Sequence, residues 1–97
     1  MVTITQVQEI VSRETNVETT AIRGNSRKDN IVMARHLSMY FCRWNTEQSL
    51  SKIANEHGKG QHGTVINACS SVDWQKKSNA KFRETYDRIL LQIKTNK

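Results

Sequence analysis

Gly58-Lys59-Gly60-Gln61-His62-Gly63-Thr64-Val65-Ile66-Asn67-Ala68-Cys69, preceded by Ser49-Leu50-Ser51-Lys52-Ile53-Ala54, decides the fold of this chain. The spacing predicts a short helix capped by Ser49, a glycine turn at Gly58 and Gly60, and a second helix that opens on small polar residues. In that second helix Val65, Ala68, Cys69 and Val72 share one side, while Gln61, Thr64, Asn67 and Ser71 share the other. The layout is a helix-turn-helix over about Ser49 to Val72. A second helix of this kind uses slim hydrogen-bonding residues at its N-terminal end to meet base edges in a major groove.

Outward from that motif, the apolar spacing stays helical. Val7, Ile10 and Val11 predict a first helix from about Thr5 to Glu14, with Thr3 or Thr5 as N-cap. A short turn of helix from Val17 to Ile22 stops at Gly24, and Arg23 to Asn30 form a basic loop. The longest helix is expected from about Asn30 to Trp44, with Met33, Leu37, Tyr40, Phe41 and Trp44 as its buried stripe. Ser78 or Asn79 caps a last helix that turns Phe82, Tyr86, Ile89, Leu90 and Ile93 inward. The expectation is an all-α bundle of about five to six helices forming a single domain over residues 1–97, its core built from Leu37, Tyr40, Phe41, Leu50, Ile53, Val65 and Ile89.

Composition agrees. The 97 residues hold no proline and only four glycines, which favours helices over a turn-rich sheet protein. Fifteen Lys and Arg against nine Asp and Glu leave a net charge of +6, a surplus that implies a polyanionic partner. Cys42 and Cys69 lie far apart on apolar helical faces, and His36, His57 and His62 match no zinc spacing, so no metal is expected. Met1 to Ile10 has no charged lead-in before an apolar core, and no apolar run approaches a membrane span. A cytoplasmic location, nucleoid-associated when bound, and no membrane partner are therefore expected. The three histidines have no spaced carboxylate or nucleophile, and no glycine loop suits a cofactor; neither catalysis nor a cofactor is expected.

Several of these blocks together resemble a known family. Ser26-Arg27-Lys28, Ile31-Val32-x-Ala34-Arg35-His36-Leu37-Ser38-Met39-Tyr40, Ser49-Leu50-x-x-Ile53 and Gly60-x-His62-x-Thr64-Val65-Ile66-x-Ala68 resemble the C-terminal DNA-binding domain of the bacterial replication initiator DnaA. The family patterns are S-R-x-R-x-I-V-x-A-R-Q-I-A-M-Y and G-G-R-D-H-T-T-V-x-x-A, and the likeness runs from about Thr3 to Ile93. It implies a Trp-repressor-like helix-turn-helix bundle and double-stranded DNA as partner. By position, it makes Arg27 the arginine of the minor groove, with Lys28 beside it in the basic loop. Arg35 and His36 fall on an Arg-Gln pair that contacts backbone and neighbouring bases. Gln61, His62, Gly63 and Thr64 fall on the Asp-His-Thr-Thr positions that read the major groove, with Asn67 one turn on. Ser49, Leu50 and Ser51 fall where a helix N-terminus meets a phosphate. Lys52 and Lys59 are candidate phosphate contacts on charge.

The departures carry information too. Gln61 replaces an acceptor suited to cytosine with an amide suited to adenine. Gly63 removes a threonine methyl and hydroxyl. Ser70 and Ser71 stand where the family has an Arg-Lys pair, which removes about two phosphate contacts. These changes point away from the family's standard initiator box. The chain has no G-x-x-x-x-G-K-[ST], so no ATP site is expected in it, and a stand-alone or truncated relative fits best. The leading function is recognition of a short duplex site in replication or transcription control. The alternative is a helical protein-interaction module that regulates replication proteins and has lost base reading.

Overall fold

The computed structural model describes residues 2–96 and contains six helices: α1 (Ile4–Thr15), α2 (Thr19–Ile22), α3 (Asp29–Asn45), α4 (Leu50–Asn55), α5 (Gly63–Ser78) and α6 (Ala80–Thr95). Among the described residues there is no strand. The ends are set by local chemistry. Thr3 and Gln6 close a reciprocal capping box at the start of α1, and Asn16, at φ 61°, ends it in a left-handed conformation. Ser49 Oγ accepts the Lys52 N–H at the start of α4. Asn79 Oδ1 accepts the Phe82 N–H of α6 while the Asn79 N–H closes α5 on the Gln75 carbonyl, so one residue joins the last two helices.

α3 is the central element and packs against all five other helices. Its buried face consists of Ala34, Arg35, Leu37, Ser38, Met39, Phe41 and Cys42. Around it close Val7, Ile10 and Val11 of α1, Ile53 and Ala54 of α4, Val65, Ala68 and Val72 of α5, and Phe82, Ile89 and Ile93 of α6. This corrects the expected stripe. A helix surrounded on most sides buries a broad band centred on Ser38, so Met33 and Tyr40 lie at its edges and Trp44 lies outside it at 60% exposure. The Arg43 guanidinium stacks 4.6 Å from the Trp44 ring centroid. Leu50 is also only half-buried. Tyr40 is an edge residue whose hydroxyl meets the Tyr86 hydroxyl at 3.1 Å. Burial raises its pKa to about 12, followed by the Tyr86 hydrogen bond.

α2 is shorter than expected because Val17 and Glu18 precede it as a non-helical lead, and α5 continues past Val72 to Ser78. Trp74 on α5 is 69% exposed. Both thiols are buried, and burial raises Cys42 to about 12 and shifts Cys69 upward, so each behaves as a small hydrophobe. Among the described residues no helix is long and apolar enough to cross a membrane.

The turn between α4 and α5 is built around Gly58. Its φ is +73°, and a Cβ placed there would lie 2.4 Å from the Arg23 carbonyl oxygen. Only glycine meets both demands, the left-handed backbone and the close approach of another chain segment. Gly58→Ala should therefore lower stability by about 2 kcal/mol or more in urea unfolding, because a left-handed alanine alone costs about 1–2 kcal/mol. Gly63 has open space around its Cβ position, so Gly63→Ala should stay within about 1 kcal/mol of wild type, on the stabilising side. Equal losses at both positions would contradict this account of the turn.

Candidate nucleic-acid interface

Three segments meet on one side of α3. Asn25, Ser26 and Arg27 from the loop after α2, Val32, Arg35, His36 and Met39 from α3, Lys59 from the turn, and Thr64 from the first turn of α5 line a cleft of about 360 Å³. Lys59 Nζ donates to Asn25 Oδ1 at 3.3 Å, which ties the turn to the loop across the cleft. The structure thus brings together five of the sequence candidates: Arg27, Arg35, His36, Lys59 and Thr64.

Charge is concentrated there without compensation. The ion pairs among the described residues are Lys52–Glu56, Lys76–Asp73, Arg83–Asp87 and Arg88–Glu14. None involves Arg27, Lys28, Arg35 or Lys59. Burial first, then the neighbouring Arg35 and Arg27, lowers the Lys59 pKa. Burial, then Arg35 and Lys59, lowers that of His36. A cationic cleft of this kind gains from any anion that enters it.

The Arg35 guanidinium is turned to the protein's own backbone. It is 3% exposed, and its three guanidinium nitrogens donate to the carbonyls of Ile22 at 3.0 Å, Ser26 at 3.1 Å and Ala21 at 3.1 Å. A planar fork with five donors satisfies three convergent carbonyls as no other side chain does. These bonds hold the loop that carries Arg27 against α3. Burial lowers its pKa, and it contributes fixed positive charge behind the cleft.

The remaining candidates fall into two groups. Gln61, His62 and Asn67 are exposed around the N-terminal end of α5, with Gly63 and Thr64 half-buried beside them. His62 occupies the N-cap position, yet its side chain makes no capping hydrogen bond, so the imidazole is free to reach outward. Lys28 is exposed directly before α3. Ser49, Leu50, Ser51 and Lys52 lie outside the cleft. Ser49 uses its side chain as a cap, and Lys52 lies 3.2 Å from Glu56 and lines a different groove with Thr3 to Thr5. The sequence reading missed Asn25, which steadies Lys59, and Ser26, whose carbonyl Arg35 holds. Asn25 had no signal beyond membership of the basic loop, and Ser26 none beyond its place in the Ser26-Arg27-Lys28 block. Among the described residues no three His, Cys, Asp or Glu side chains cluster as metal ligands would.

Comparison with known proteins adds an independent line. The bacterial dnaA protein helix-turn-helix family matches residues 4–72. The chromosomal replication initiator protein DnaA of Porphyromonas gingivalis is 38% identical over 87 residues, covering 90% of this chain and 18% of that protein. The protein of the same name from Bacteroides fragilis is 34% identical over 93 residues, covering 96% of this chain and 20% of its own length. That of Mycoplasma capricolum is 32% identical over 92 residues, covering 95% and 20%. The chain therefore spans about a fifth of the length of the curated relatives it matches.

Two arginines of the cleft should separate in a stability measurement. Arg35→Ala leaves three carbonyls without their donor and should cost at least about 2 kcal/mol in urea unfolding, since hydrogen bonds from a charged group contribute about 1.5–3 kcal/mol. Arg27, exposed and unpaired, should tolerate alanine within about 0.5 kcal/mol. A stable Arg35→Ala variant would return Arg35 to the role of a free cation.

Proposed function

The chain belongs to the bacterial dnaA protein helix-turn-helix family, and from that premise we propose that it binds double-stranded DNA at a short preferred site, in the control of replication or transcription. In this reading the exposed Arg27 enters the minor groove. The N-terminal end of α5 lies in the adjacent major groove, where Gln61, His62, Thr64 and Asn67 meet base edges and Gly63 allows close approach. Lys28 and Lys59 hold phosphates, His36 lies beside them, and the exposed Ser49 and Ser51 with Lys52 meet the backbone at a second point next to Leu50. The role is one of binding, with no catalytic step. The observation that carries it is the cleft in which Arg27, His36, Lys59 and Thr64 converge from four segments with no acidic side chain paired to any of them.

The site chemistry favours A·T-rich flanks. A narrow A·T minor groove has enhanced negative potential, so an arginine placed there gains affinity and shape preference. Major-groove contacts discriminate bases by about 1–3 kcal/mol each. Gln61 is an amide, and an amide is matched to adenine.

Binding measured by fluorescence anisotropy across a salt series should show log K falling with log[salt] at a slope of about −2.7, the value for three phosphate contacts from Lys28, Lys52 and Lys59. A slope near about −4.5 would mean that Arg27 and Arg35 also neutralise phosphates, and no binding to any duplex at low salt would favour the protein-interaction alternative. Arg27→Ala should weaken binding about tenfold or more and flatten the A·T preference. His62→Ala or Thr64→Ala should relax preference at one or two internal base pairs, at about 1–3 kcal/mol. Lys81→Ala, on the exposed side of α6, should change neither.

A further inference from the structure

His57 is fully buried, and each ring nitrogen has a partner. Nδ1 lies 2.7 Å from the Ile53 carbonyl oxygen, which only accepts, so Nδ1 carries the proton. Nε2 is then an acceptor. It takes the Ser38 hydroxyl at 2.7 Å and faces the Gln8 amide nitrogen at 3.4 Å. Gln8 also donates to the Glu56 carbonyl at 2.9 Å, and its Oε1 accepts from Arg23 Nε at 2.9 Å. One ring thus joins α1, α3 and the end of α4, while Gln8 extends the chain of bonds to the residue that follows α2. No buried side-chain nitrogen or oxygen among the described residues is left without a partner.

The next residues along the chain are the seam itself. Gly58 abuts the Arg23 and Gly24 carbonyls, and Lys59, whose N–H is bonded to the Ala54 carbonyl, reaches Asn25. We propose that His57 is a positioning residue for DNA recognition: it pins the turn against α1 and α3, so that the Arg27 loop and the N-terminal end of α5 are presented in one fixed register. This rests on the duplex-binding reading for its purpose, but the pin can be tested apart from it.

Protonation is the natural probe. A second proton on Nε2 would face the donor groups of Ser38 and Gln8. The charged groups around the ring are Arg35 of α3, Arg23 after α2, and Glu56 at the end of α4; α1 contributes only the neutral Gln8. Burial, the largest effect, lowers the His57 pKa below 6.5, and the two arginines act in the same direction. Any opened form of the turn takes up the proton near the ordinary value while the closed form does not. Opening is therefore favoured as pH falls through that window, and the closed form regains full stability above it.

Amide hydrogen exchange, corrected for intrinsic rates, should show Gly58 and Lys59 opening up to about tenfold more at pH 5.5 than at pH 7.5, the limit for a group with an open-state pKa near 6.5. Amides in the middle of α6 should not follow. His57→Phe, which keeps a ring, and His57→Gln, which keeps an acceptor for Ser38, cannot be protonated there and should abolish the acceleration. A duplex that binds the wild type should suppress it, because only the closed turn presents both contacts. Equal acceleration in α6, or acceleration that persists in both variants, would overturn the pin. A bound duplex that leaves it unchanged would overturn the link to recognition. Failure of the wild type to bind any duplex would sink the DNA reading alone, with the exchange comparison still deciding the pin.

Discussion

Three backbone carbonyls, those of Ala21, Ile22 and Ser26, converge on the Arg35 guanidinium, and the placement of both the loop and the turn that line the cleft follows from that clamp. A charge is costly to bury unless its hydrogen bonds are complete. Here the completing acceptors are the end of α2 and the start of the basic loop. The segment carrying Arg27 is thereby held to the central helix although it has no regular structure of its own. Gly58 extends the same constraint to the other side, since its backbone presses on Arg23 where a side chain would not fit. Loop and turn are fixed to α3 and to each other.

That arrangement has an electrostatic consequence. Burial first lowers both Lys59 and His36, and the neighbouring charges add to it, Arg35 and Arg27 on Lys59 and Arg35 and Lys59 on His36. Acids elsewhere are used in pairs on α4, α5 and α6 and between α1 and α6. Surface pairs of that kind contribute little to stability, so their distribution matters mainly for where positive charge is left over. At the cleft, Arg27, Arg35 and Lys59 have no acidic partner among the described residues. A folded chain that tolerates repulsion in one place is poised to gain there when a polyanion arrives.

Much of the fold was legible because its signals are local. Thr3, Ser49 and Asn79 cap helices through partners three residues away, and Val65, Ala68, Cys69 and Val72 face inward at plain helical spacing. The stripe of α3 was less legible. Arg35 and Ser38 are polar and so read as outward, yet both are buried by partners distant in sequence: the Ala21 carbonyl fourteen residues from Arg35, and His57 nineteen residues from Ser38. Conversely, Trp44 reads as core, but the helices covering α3 do not reach it. In the site, Arg27, Lys59 and Thr64 were identifiable by charge, turn and position. The inward role of Arg35 and the buried ring of His57 were not, because nothing in either residue's own neighbourhood announces a non-local acceptor.

If loop and recognition helix form one rigid surface, DNA must match both at a fixed separation. The direct measurement takes the preferred duplex from a randomised selection and inserts one base pair between its A·T flank and its internal contact positions. One inserted pair shifts the flank by about 3.4 Å and rotates it by about a tenth of a turn. A rigid surface predicts that the insertion removes the contribution of the flank, so that wild type binds the expanded site no better than Arg27→Ala binds the original. Undiminished affinity for the expanded duplex would show that the loop moves independently of the helix, and would contradict the clamp as the organising constraint.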